Sequence, residues 1–175
     1  MIDLLIALSV GAHPPKIVPA GEGTPIEVPF HPAEQLLRAE ESTDGLAFYV
    51  FTVPPGTAGA PPHVHAHEDE YFYVLSGEAS VLSEGEVVTL GPGGFAALTR
   101  DHLHAFWNAG EAEAVLLMST TDGFQAFFDA VAREARADLS PPEMGALVGR
   151  LAAERGITIR MDAVPEEARR LYGLE

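Results

Sequence analysis

Cysteine is absent from the 175 residues. That removes disulfides, thiolate nucleophiles and zinc–thiolate sites, and leaves the chain compatible with a reducing compartment. Basic side chains are scarce: 10 Lys and Arg stand against 26 Asp and Glu, for a formal charge of -16. A surface this negative repels phosphate backbones, so neither nucleic acid nor an anionic membrane is an expected partner. Long hydrophobic runs are missing as well. The apolar stretch 4–12 falls far short of the roughly 20 residues that span a bilayer. It follows Asp3 with no basic residue before it, which makes it a poor signal peptide, and the expected location is cytoplasmic. Residues 2–10 read instead as an apolar arm that packs on the body or crosses to a second copy.

What is present fits one globular domain. Hydrophobic residues make up 47% and charged residues 21%, enough for a core, while 17 Gly and 14 Pro signal many turns. Residues 1–45 read as an arm with one short strand around Ile26-Glu27-Val28. From 46 to 121 short β-type segments follow at close spacing, at 46–53, 71–75, 79–83, 87–90, 95–98, 103–107 and 114–120. Turn residues such as Ser76-Gly77-Glu78 and Gly91-Pro92-Gly93-Gly94 separate them. Many short strands without βαβ alternation predict an antiparallel sandwich or barrel.

From 122 to 175 the period becomes helical. Asp122 and Gln125 resemble a capping box, and Phe124, Phe127, Phe128 and Val131 follow at helical spacing as a packing face. A second helix is marked by Ser140 as cap, Pro141 in the first helical position, Glu143 reaching back and Gly156 as a stop. A third, short helix is expected over 165–171.

Three histidines lie within five positions, His63-Val64-His65-Ala66-His67, followed at once by Glu68-Asp69-Glu70. On a strand, residues two apart share a face, so His63 and His65 can present imidazoles side by side. Imidazole nitrogens bind divalent metals, and a neighbouring carboxylate adds charge and affinity. His102 and His104 sit on a later segment that can bring a third imidazole. Glu68 and Asp69 read as solvated surface, His67 as solvent-facing or supporting, and His13 and His31 as having no metal role. Phe72, Phe95, Phe106 and Trp107 are core or pocket aromatics. Competing metal motifs fail on spacing: H-x-H-x-D-H would need Asp where His67 stands, and H-E-x-x-H would need His where Tyr71 stands. A (β/α)₈ barrel needs about 250 residues.

The chain resembles the cupins, small β-barrels of the double-sheet jelly-roll type. Their first motif, G-x5-H-x-H-x(3–4)-E-x6-G, is matched by His63, His65, Glu70 and Gly77, with the opening glycine one place off, at Thr57 between Gly56 and Gly59. Their second, G-x5-P-x-G-x2-H-x3-N, is matched by Gly93, His104 and Asn108, with Thr99 for the proline and Asp101 for the glycine. The stretch 63–77 and the tail from Gly123 are similar to quercetin 2,3-dioxygenase-like cupins.

The resemblance implies a mainly β, cupin-type jelly-roll barrel with C-terminal helices. It also implies one divalent metal ion (Fe, Mn, Ni, Co, Cu or Zn) on His63, His65, Glu70 and His104. Glu70 is in addition the expected catalytic proton acceptor, and Asn108 either supports the site or caps the following turn. The implied activity is that of an oxygenase using O₂ and a small organic substrate. In its quercetinase-like version a flavonol hydroxyl loses its proton, and the heterocycle opens with release of CO. A Lewis-acid isomerase, lyase or hydrolase on the same metal, or a non-catalytic binding module, are the alternatives. Cupin barrels commonly pair, so a homodimer is expected.

Overall fold

A computed structural model describes residues 13–174. The arm 2–10, expected to reach a partner, lies outside them. Eleven strands and two helices follow in chain order: β1 (Thr24–Ile26), β2 (Ala33–Leu37), β3 (Leu46–Val53), β4 (Thr57–His65), β5 (Glu70–Ser76), β6 (Ala79–Ser83), β7 (Glu86–Leu90), β8 (Phe95–Leu98), β9 (His104–Asn108), β10 (Ala114–Thr121), α1 (Asp122–Glu134), α2 (Pro141–Ala153) and β11 (Ile157–Ile159). The third expected helix is a 3-10 turn, Glu166–Tyr172.

The strands form two antiparallel sheets, β1-β2-β3-β10-β5-β8 and β11-β4-β9-β6-β7. Jumps such as β3 to β10 and β4 to β9 are the long connections of a jelly roll. Strict alternation sets the inner face of the first sheet. Tyr49, Phe51 and Val53 of β3, Phe72 and Val74 of β5, and Leu116 and Met118 of β10 are all buried. Tyr71, Tyr73 and Leu75 point outward.

Strand β9 departs from that pattern, being buried at every position from His104 to Asn108. His104, Phe106 and Asn108 face inward. Ala105 and Trp107 face outward, where they join Val164 and Ala168 of the C-terminal segment in a second small core. The Tyr172 hydroxyl lies 2.8 Å from the Ala60 carbonyl and 3.0 Å from that of Phe106, sharing its one proton between β4 and β9.

Helix α1 lies against the barrel end through Phe124, Phe127, Phe128 and Val131, all buried. Its start differs from expectation. Thr121 is the N-cap and makes no side-chain capping bond. Gln125 instead accepts hydrogen bonds from Gln35 Nε2 (3.0 Å) and the Ala39 amide (2.8 Å) and donates to Glu40 (2.8 Å). A buried amide thereby fastens the helix to β2 and the turn behind it, because those partners would otherwise be left unsatisfied. Helix α2 starts as read, with Glu143 accepting from the Ser140 amide at 2.8 Å.

Candidate metal centre

Four side chains meet between the two sheets. His63 and His65 project inward from the end of β4. His63 pairs in register with His104 of β9, and Glu70 opens β5 in the facing sheet. Pro61 and Pro62 lack amide donors, and the β4–β9 ladder shifts register between Ala60 and His63. Such a bulge re-aims the side chains that follow it. The loop before β9 is tied to β4 by the Asp101 amide, which donates to the His65 carbonyl at 2.8 Å. Asp101 occupies the motif's glycine position with φ +66, a left-handed conformation that Asp tolerates better than most residues.

All four side chains are buried, and one ligand atom from each lies within 4.8 Å of the others. His63 Nε2 and His65 Nε2 are 2.9 Å apart. Glu70 lies 3.5 Å from His65 Nε2 and 3.4 Å from His104 Nε2. Donors roughly 2.1 Å from a shared ion are separated by about 3.0 to 3.4 Å in octahedral or tetrahedral arrangements, so the spacing suits one cation.

The outer nitrogens fix the tautomers. His63 Nδ1 is 2.7 Å from the Pro61 carbonyl, and His104 Nδ1 is 2.9 Å from the His102 carbonyl. A carbonyl only accepts, so both Nδ1 atoms carry the proton and both Nε2 atoms turn a lone pair inward. His65 Nδ1 faces the Glu68 carboxylate at 3.2 Å, with the same result. His104 Nε2 has no hydrogen-bond partner. The ring nitrogens of His63, His65 and His104 and the Glu70 carboxylate crowd one small volume, with the donor types and spacing of a site for one cation. The residues present therefore fit a divalent metal ion.

Burial, reinforced by the neighbouring His104, pushes His63 down to about 3, which keeps it neutral. Burial opposes ionisation of Glu70, yet the His104 and His65 rings outweigh it and hold the carboxyl well below the usual range. For His65 burial also pulls downward, but the Glu70 and Glu68 carboxylates prevail and raise it.

An apolar cavity of about 70 Å³ opens beside the group, with His63 and Glu70 among its lining residues. Its walls include Phe51, Phe72 and Phe106 from the barrel, Phe124, Phe127 and Phe128 from α1, and Ile157 and Ile159 from β11. The Phe124–Phe128 face is thus both packing surface and cavity wall, and the C-terminal elements cover the site. A Cβ on Gly59 would meet the Phe106 ring at 2.2 Å, so the missing side chain lets that ring lie against β4. Among the described residues no Lys or Arg lines the cavity.

Several sequence expectations change here. Glu68, read as surface, is 3% exposed and orients His65. A Cβ on Gly123 would meet its Oε1 at 1.9 Å, so the start of α1 makes room for that carboxylate. A carboxylate three residues past a histidine was the available signal. Asp69 does pair outward, with Arg100 at 3.0 Å. Phe95 is 59% exposed on the outer wall, and Trp107 faces away from the cavity. Asn108 caps the turn, donating to the Val53 and Ala112 carbonyls and accepting from the Gly110 amide. His102 and His67 are exposed. His31, set aside on sequence, is 6% exposed and lines the cavity; its irregular neighbourhood gave no sign of this.

Residues 49–120 match the family described as Cupin domain. The chain carries a cupin domain at these residues. A curated relative, quercetin 2,3-dioxygenase of Bacillus subtilis (strain 168), is 25% identical over 92 residues, or 53% of this chain. The match spans only 27% of that protein's length. The fold matches that of a predicted oxalate decarboxylase from Thermotoga maritima at TM-score 0.55 and 23% identity, over 60% of this chain and 97% of the other. A DMSP lyase, DddQ of Ruegeria pomeroyi DSS-3, aligns at TM-score 0.45 and 29% identity, over 53% and 47% of the two chains. That likeness is too loose to bear on chemistry.

Proposed function

We propose that this cupin is a metal-dependent oxygenase that acts on a small, uncharged organic compound through an acidic hydroxyl, such as an enol or phenol. The observation that carries the reading is the buried His63, His65, Glu70 and His104 group, of which His63 and Glu70 line a cavity with apolar walls and, among the described residues, no Lys or Arg. The likeness to a quercetin 2,3-dioxygenase supports it.

The three imidazoles and Glu70 would hold the ion, which when bound supplies a redox-active or Lewis-acidic centre for O₂ and the substrate oxygen. The Glu70 carboxylate would accept the hydroxyl proton. The Phe51, Phe72, Phe106 and Phe128 rings exclude water, which strengthens polar interactions in the cavity. A phosphate or carboxylate substrate would find no Lys or Arg in the cavity among the described residues. The cavity is also roughly half the ~150 Å³ known to hold benzene, so a flavonol enters only if its walls part or if most of the molecule stays outside.

Elemental analysis of the purified protein identifies the metal it carries. Each reconstituted form is then followed with an oxygen electrode in the presence of flavonol and of single-ring phenols and enols. O₂ uptake matched to substrate loss with a redox-active metal, and none with Zn²⁺, is the expected result. Turnover that proceeds equally well without oxygen would replace this reading with Lewis-acid catalysis.

A further inference from the structure

Besides His63 and Glu70, the cavity has one further polar side chain on its wall, His31. It lies between β1 and β2, 6% exposed, with its ring centroid 4.7 Å from that of Phe51 and 5.9 Å from that of Phe106. Its Nδ1 is 3.2 Å from the Pro32 carbonyl, so this nitrogen carries the proton and Nε2 is left as an acceptor. Among the described residues Nε2 has no hydrogen-bond partner. That nitrogen is not sealed off from solvent, so a ligand in the cavity that His31 lines can reach it, and two phenylalanines hold the ring in place.

We propose that His31 is a positioning residue of the cavity. Its Nε2 accepts a hydrogen bond from a hydroxyl on a neutral, single-ring aromatic ligand, whose ring lies against Phe51 and Phe106 and, being larger than the closed part of the cavity, projects toward the rim. Burial lowers the basicity of His31, so the ring is a neutral acceptor at pH 7. Among the described residues the other neutral side-chain acceptor on the wall is His63, whose Nε2 turns toward the proposed metal position, and the remaining lining groups, Glu70 aside, select for apolar surface. Phe30, 38% exposed, forms the open rim, so a ring too large for the closed part extends toward it. This assignment rests on the reading of the cavity as the substrate site of the oxygenase, but its test does not require turnover.

Phenol and toluene, which differ by the hydroxyl, are titrated into metal-free and Zn²⁺-loaded protein and followed by NMR shifts. His31→Phe is expected to weaken phenol about five- to tenfold, the effect of one hydrogen bond, with toluene unchanged. His31→Gln, which retains an acceptor, is expected to keep phenol within about threefold of the starting protein. Parallel loss of both ligands in His31→Phe would mean that the residue only shapes the cavity, and unchanged phenol binding would mean that no such bond forms; either overturns the proposal. If His31→Phe does not fold, a loss of phenol but not toluene in His31→Leu is expected, and its absence is equally decisive against the assignment. Zn²⁺ uptake is measured separately by equilibrium dialysis. A His31 effect that persists in protein unable to take up metal leaves this inference standing while the oxygenase reading falls.

Discussion

Glu68 reaches no ion position, yet it accepts from His65 Nδ1 at 3.2 Å and so sets both the tautomer and the tilt of that ring. Partners of this kind typically account for 10- to 100-fold in metal affinity. Glu68→Gln is expected to weaken Zn²⁺ binding by about that range, measured by chelator competition, while all four ligands remain. His31 gives a pH signature of its own. Burial lowers its folded value below the ordinary 6.5, so the unfolded chain takes up the proton first. Its contribution to stability is therefore complete above pH 6.5 and is lost as the pH falls from there toward its lowered value. His63 and Glu70 are the other titratable groups lining the cavity. They titrate alike in both proteins, so metal-free His31→Phe should show a flatter acid limb than the unchanged chain in melting temperature against pH. At Asp101, φ is +66; Asp101→Val should cost about 1 to 2 kcal/mol by denaturant melts, and Asp101→Gly much less.

At the level of single residues the buried group of His63, His65, Glu70 and His104 was legible because these positions keep the spacing of the two cupin motifs. Glu68 and His31 were not, for different reasons. An acidic run in a sequence does not reveal which carboxylate turns inward, and the burial of His31 depends on Phe51 and Phe106, which are distant in the chain.

Among the elements, β3, β6 and β8 were readable to the residue, because alternation and flanking turns agree there. Strand β4 was harder to see, since Gly59, Pro61 and Pro62 argue against a regular strand. Those same residues create the bulge that aims His63, so the local rule was broken where the site is built. The start of α1 was misjudged for a related reason: Gln125 sits three residues after Asp122, as a capping glutamine does, but long-range partners on β2 and the following turn claim its amide. Replacing it severs those partners from α1. Gln125→Leu leaves the Ala39 amide without an acceptor and is expected to lower stability by about 1 to 3 kcal/mol in urea melts, with the barrel strands retaining their circular dichroism.

Across the whole molecule, an antiparallel sandwich or barrel followed from the strand count and turns and its jelly-roll form from the resemblance to the cupins, whereas the covering of the cavity by α1 and β11 is a tertiary fact with no periodic trace. Among the described residues no helix is long and apolar enough to cross a membrane. An ion held between the two sheets binds the folded state and not the unfolded chain. Metal at about 100 times its dissociation constant should therefore add about 2.7 kcal/mol. Chelator should reverse the resulting rise in melting temperature, and a His104→Ala variant should show no rise at all.

The Tyr172 hydroxyl, clasped to the backbones of two neighbouring strands, gives the outer wall a say in the chemistry within. The strands it clips together also carry the three imidazoles, so trimming the chain ahead of that tyrosine would loosen the cage from behind. A chain shortened there should lose its ion more readily even though every ligand is intact.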